Sequence, residues 1–161
     1  MVPEDSKYQE EVGVTANDEQ RERLGDIVGR LTSDDYALEA MPGWTVGAVL
    51  AHLAFWDRLV IERWTRAIAD AATIPVSLSE VLTDLINGAS LAQWLAMPGP
   101  LAGREAIGAA EAVDQYVEGL EEARVAAADE AGLGRLVDRS LHRAEHLDMV
   151  DAALRSEGRA G

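Results

Sequence analysis

The chain carries three histidines, His52, His142 and His146, and their spacing has the clearest chemical meaning in the sequence. His142 and His146 stand four residues apart. On a helix that spacing separates them by about 40° in rotation and about 6 Å along the axis, so both imidazoles share one face. Met149 and Ala153 continue that face, which marks it as inward. His52 lies within an apolar arc, between the directions of Trp56 and Leu59. Two imidazoles from one helix and one from a facing helix can cap a divalent ion on three sides. Nitrogen ligands suit zinc or nickel, and three of them leave a position for water or substrate. A histidine on an apolar face also serves as a core residue bonded to a carboxylate or carbonyl, and the pattern leaves both readings open. Residues 143–145 are Arg-Ala-Glu, so the H-E-x-x-H protease signature is excluded.

The neighbours of these histidines supply further candidates. Arg139 and Arg143 flank His142 and are candidates to meet an anionic substrate, although a helical arginine is more often solvated. Trp56 is a candidate wall of a substrate site, and Trp44, Trp64 and Trp94 divide between lining and core. Asp57 lies more than a helical turn beyond His52 and is rotated away from it, so it draws no catalytic role. Glu118-Gly-Leu-Glu-Glu122 reads as a wet helix face. Cysteine is absent, which excludes disulfides, thiolate ligands and a cysteine nucleophile.

Helices must position these residues. Asn17-Asp-Glu-Gln20 has the pattern of a capping box, followed by Leu24, Ile27, Val28 and Leu31 on one stripe; this predicts a first helix over about 18–32, after a polar tail of residues 1–16. Thr45 is the expected N-cap of a long helix over about 46–70, stopped by Ile74-Pro75. Ser77-Leu-Ser-Glu80 opens a third helix of about 79–97, in which Asn87-Gly88 is a candidate kink. Met97-Pro-Gly-Pro100 breaks the chain before a helix expected over about 102–129. Gly132-Leu-Gly134 precedes a last one over about 134–155. No alternating strand pattern of useful length is present, so residues 17–161 read as one all-α bundle domain.

The 161 residues include 14 Lys plus Arg against 29 Asp plus Glu, a net charge of -15. That balance opposes nucleic acid and anionic membrane surfaces, which are held by clustered cations. Hydrophobic residues make up 48% of the chain, enough for a real core. The acidic N-terminus has no apolar h-region, and no apolar run approaches the roughly 18 residues of a spanning helix, so a cytoplasmic protein is expected.

Pro42-Gly-Trp-Thr-Val-Gly-Ala-Val-Leu-Ala-His-Leu-Ala-Phe-Trp-Asp57 resembles the first signature of the DinB-like superfamily, which includes the metal-binding domain of mycothiol-dependent maleylpyruvate isomerase. Asp138-Arg-Ser-Leu-His-Arg-Ala-Glu-His-Leu-Asp-Met-Val150 is similar to its second motif, H-x-x-x-H-L with a following acid. Asn87 and Trp94 sit where many members show an N…W pair, which adds Asn87 to the substrate-binding candidates. The resemblance implies a four-helix bundle with an additional helix, 79–97, in a long crossover. It also implies a homodimer, metal ligation by His52, His142 and His146, and a small-molecule substrate. It further implies activation of a low-molecular-weight thiol such as mycothiol for S-transfer or isomerisation. The chain is too short for the separate C-terminal domain of the isomerase, so that specific activity is not expected to carry over. A cysteine-free protein doing thiol chemistry must take its sulfur from a cosubstrate. Free imidazole protonates near pH 6.5, so metal occupancy is expected to fall below about that pH.

Overall fold

The computed structural model describes the backbone of residues 4–159 and the side chains of residues 16–159. In chain order it contains α1 (Glu4–Arg30), a 3-10 turn (Asp35–Ala37), β1 (Glu39–Met41), β2 (Trp44–Thr45), α2 (Val46–Ala69) and α3 (Glu80–Ala96). There follow α4 (Gly99–Glu118), α5 (Glu122–Glu130), a second 3-10 turn (Gly134–Leu136) and α6 (Ser140–Ser156). The all-α expectation holds.

Local chemistry sets several of these boundaries. The Thr45 hydroxyl accepts from the Ala48 amide at 3.1 Å, which satisfies one of the free donors at the start of α2. Ser79 does the same for the Leu82 amide at 3.1 Å, and α3 then runs unbroken through Asn87-Gly88. Ahead of α2, Gly43 takes φ +79, a left-handed value that glycine adopts without steric cost. This turn lets Glu39 pair with Thr45 and Met41 with Trp44 in a small antiparallel ribbon where a loop was expected.

Three expected boundaries move, and the last helix begins at Ser140 after a 3-10 turn, later than the expected start near 134. Helix α1 begins at Glu4 and takes in most of the segment read as a tail, so Asn17 is not its cap. Asn17 is buried mid-helix, donating to the Val137 carbonyl at 3.0 Å and accepting from the Arg139 amide at 2.7 Å. The fourth expected helix divides at Gly119, a residue costing roughly 1 kcal/mol in a helix interior. The break turns α5 so that Ala128, with Leu136 beyond it, closes on Trp64, Val60, Val113 and Val117.

The main core is shared by four helices: Leu24 and Ile27 of α1, Val46 to Leu53 of α2, Ala102, Ala106 and Ala110 of α4, and Leu147, Val150 and Leu154 of α6. The alanine stripe of α4 allows α2 to lie close along it. Close approach recurs at the start of α4, where Gly99 and Gly103 face Tyr36. A Cβ on Gly103 would stand 2.8 Å from the Tyr36 hydroxyl and 2.9 Å from Val28 Cγ1. By contrast, Gly108, on the exposed side of the same helix, has open space around it.

These two glycines give opposite expected outcomes in denaturant unfolding. Gly103→Ala should lower stability by about 1–3 kcal/mol through overpacking. Gly108→Ala should raise it by up to about 1 kcal/mol through helix propensity alone. Equal effects of one sign would contradict this packing.

Candidate metal centre

The cap at Thr45 starts α2 two turns before His52, which points into the core side of that helix and is 4% exposed. His142 and His146 come from the first turns of α6 and are half-buried. The deepest stripe of α6 is Arg143, Leu147, Val150 and Leu154, so the histidine pair flanks the core face beside α2. The structure brings the three imidazoles together, each offering a ring nitrogen within 4.8 Å of the others. Nε2 of His52 and Nε2 of His142 are 3.2 Å apart. His146 stacks on His52 at a ring-centroid distance of 4.6 Å.

The donor set fits a divalent ion. Two imidazole nitrogens bound tetrahedrally at about 2.0–2.1 Å from one ion stand about 3.4 Å apart. The His52–His142 separation is already close to that value. The His146 Nδ1 lies 2.8 Å from the His142 carbonyl, so its N–H donates there and its Nε2 keeps a free lone pair. The His52 Nδ1 is buried without a hydrogen-bond partner. Its ring stands nearly perpendicular to Trp44 and Trp94, with centroids 5.3 and 5.0 Å away.

Burial pushes the His52 pKa down to about 3, with the charges of His146 and Arg139 adding to the effect. The His142 pKa falls well below the usual value, first through burial and then through Arg139. Burial also lowers His146, opposed by its bond to the His142 carbonyl. All three are therefore neutral at physiological pH. Protons compete with metal only below the pH 6.5 expected from free imidazole, so occupancy should persist to more acidic conditions than the sequence suggests.

The flanking arginines behave differently from expectation. Arg143 is fully buried and cannot meet a substrate. It makes two bonds to Asp114, at 2.7 and 2.8 Å, and a third to Asp57 at 3.2 Å. Arg139 is 5% exposed, and its Nε donates to Asp57 at 2.9 Å. Its Nη1 donates to the Arg135 carbonyl at 2.8 Å, and Nη2 lies 3.0 Å from His142 Nδ1. Both are thus committed to intramolecular partners, and a solvated reading fails because buried carboxylates face them. Asp57, which drew no role from the sequence, anchors this lattice, and Arg21 of α1 joins it at Asp114 over 2.7 Å. A signal existed: Asp57, Asp114 and Arg143 each interrupt the apolar stripe of a different helix, with complementary charges.

Trp56 and Asn87 do meet beside the histidines. The indole N–H donates to Asn87 Oδ1 at 2.9 Å, and the Trp56 ring is 6.2 Å from His52. Asn87 therefore orients Trp56. Trp64 is remote from the site, buried in the second cluster with its N–H on the Leu136 carbonyl at 3.0 Å.

Removing Arg143 takes a buried partner from two carboxylates, leaving Asp57 with Arg139 alone and Asp114 with Arg21 alone. Arg143→Met should cost about 3–5 kcal/mol of unfolding free energy, measured by urea titration. The histidines give a pH signature in metal-free protein. Unfolded imidazoles take up protons near pH 6.5 that the folded site refuses, so stability is full above that value. It declines as pH falls from 6.5 toward the His52 value of about 3. Between pH 7 and 5, above the carboxylate range, His52→Phe should flatten the slope of the urea midpoint. An unchanged slope would place the depressed pKa elsewhere.

No protein-family model, curated protein or solved structure matches this chain.

Proposed function

We propose that this chain is a divalent-metal protein that holds zinc or nickel through His52, His142 and His146 and acts on a small molecule. The observation that carries the reading is the convergence of three neutral imidazoles from two helices, with two Nε2 atoms already at ligand-to-ligand separation. A divalent ion held by neutral ligands keeps its full charge and favours deprotonation of a thiol or water beside it. The chain's own part is to hold the ligands and shield them. His146 is oriented by a backbone carbonyl, while Trp44, Trp56 and Trp94 wall His52 with apolar surface.

The resemblance to the DinB-like superfamily points the same way and supplies the finer statements of this proposal. The core shared by α1, α2, α4 and α6 is read as a four-helix bundle, with α3 in the crossover and the chain working as a cytoplasmic homodimer. The reaction is S-transfer or isomerisation using a mycothiol-type cosubstrate, since the chain has no sulfur nucleophile of its own. A hydrolase using activated water is the nearest variant. A second reading, a non-catalytic helical protein whose histidines only pack, draws on the direct His52–His142 contact and the guanidinium on His142.

Elemental analysis of protein purified without chelator should find one zinc or nickel per chain. Zinc at about 100 times its dissociation constant should stabilise the fold by about 2.7 kcal/mol, and chelator should reverse the gain. His146→Ala should weaken binding by more than the roughly 10–100-fold typical of losing a supporting residue. Stability indifferent to zinc, chelator and His146→Ala alike would leave the packing reading. With metal bound, conjugation of mycothiol to a panel of electrophiles tests the thiol chemistry. Absence of turnover with every thiol would count against S-transfer.

A further inference from the structure

The hydrogen bonds around the three imidazoles assign a proton to each, because guanidinium donates and never accepts. Arg139 Nη2 sits 3.0 Å from His142 Nδ1, so that nitrogen holds a lone pair and the hydrogen of neutral His142 is on Nε2. This Nε2–H points at His52 Nε2 over 3.2 Å, which makes His52 the acceptor and puts its own hydrogen on Nδ1. Nδ1 of His52 is the buried atom without a hydrogen-bond partner, lying among indole rings. His146 has the same tautomer for a different reason, with its Nδ1–H on the His142 carbonyl at 2.8 Å. His52 and His146 therefore present Nε2 lone pairs toward the centre, while His142 presents a hydrogen.

We infer that Arg139 is a positioning residue that holds His142 in the tautomer unable to ligate, so that its release decides whether the site is a two- or three-histidine one. The consequence for metal rests on the metal-binding reading above; the tautomer does not. For His142 to offer Nε2, the hydrogen must pass from Nε2 to Nδ1, and Nδ1 must give up Arg139. The guanidinium is not stranded by this, since Nε keeps Asp57 and Nη1 keeps the Arg135 carbonyl. Asp57 keeps Arg143 as a partner if Arg139 is removed. In supporting metal sites the outer partner of a ligating imidazole normally accepts its N–H. Here the outer partner of His142 is a donor, and it works against ligation.

Long-range proton–nitrogen NMR of the metal-free protein at pH 7 reads the tautomers directly. The expected spectrum has His142 protonated at Nε2, and His52 and His146 protonated at Nδ1. Arg139→Met leaves His142 Nδ1 free to take the hydrogen when zinc takes Nε2, and should tighten zinc binding by tenfold or more, measured against a chromophoric chelator; a charge-assisted hydrogen bond of the usual strength corresponds to roughly that factor. Arg139→Lys, which keeps the charge and one donor, should retain the wild-type His142 tautomer. A wild-type spectrum with His142 protonated at Nδ1 overturns the inference, whether or not metal binds. So does an Arg139→Met protein that binds zinc, but no more tightly than the wild type. A protein with the expected tautomers that takes up no zinc in either form would instead sink the metal reading and leave the assignment standing. The wild-type spectrum needs no variant to fold.

Discussion

The buried charge lattice of Asp57, Asp114, Arg139 and Arg143 is the constraint on which the rest of the molecule depends. Two carboxylates and two guanidiniums, each nearly sealed from solvent, balance to zero charge at the junction of α2, α4 and α6. Such a set adds little net stability compared with well-packed apolar residues, because desolvation offsets most of the attraction. What it adds is intolerance of misalignment. A one-residue slip of α6 would rotate Arg143 by about 100°, away from both Asp57 and Asp114, and leave Asp114 only Arg21 of α1. The arginine fork reaches both carboxylates only in one register, so the lattice fixes α6 against α2 and α4 at once.

The histidine cluster inherits that register. His52 lies five residues before Asp57 on α2, and His142 is the residue before Arg143 on α6. Pinning Asp57 to Arg143 and Arg139 therefore sets where His142 meets His52, about 7.5 Å along α2 from the ion pair. Asn17 tightens the same joint from α1 by taking the Arg139 amide, one of the donors that the start of α6 leaves free. One run of backbone, residues 137–143, is thus held by α1, α2 and α4 together.

What the sequence made legible follows from the range of the forces involved. Thr45 and Ser79 cap the helices they precede because their partners are three residues away, and the breakers at residues 97–100 act within their own segment. The three histidines were visible as one cluster because spacing on a helix is local geometry, and only the pairing of two helices had to be supplied. Asn17 shows the opposite case. Its neighbours have the form of a capping box, but its side chain is claimed by Val137 and Arg139, more than 100 residues away. The solvated reading of Arg139 and Arg143 failed for the same reason: their carboxylates lie on other helices. The division at Gly119 was hidden because the apolar pattern continues through it, and the reason to turn is Trp64, on a distant helix.

The electrostatics of the cluster also bear on which ions it suits. The chain carries a net charge of -15, which draws any cation toward it at long range. At the cluster no carboxylate stands among the three candidate ligands, and the Arg139 guanidinium lies 3.0 Å from His142. Magnesium and calcium need several oxygen ligands and gain little from imidazole. Zinc and nickel form bonds to neutral nitrogen strong enough to offset a nearby positive charge. Three desolvated imidazoles flanked by an arginine thus lack the oxygen ligands that the abundant hard cations need.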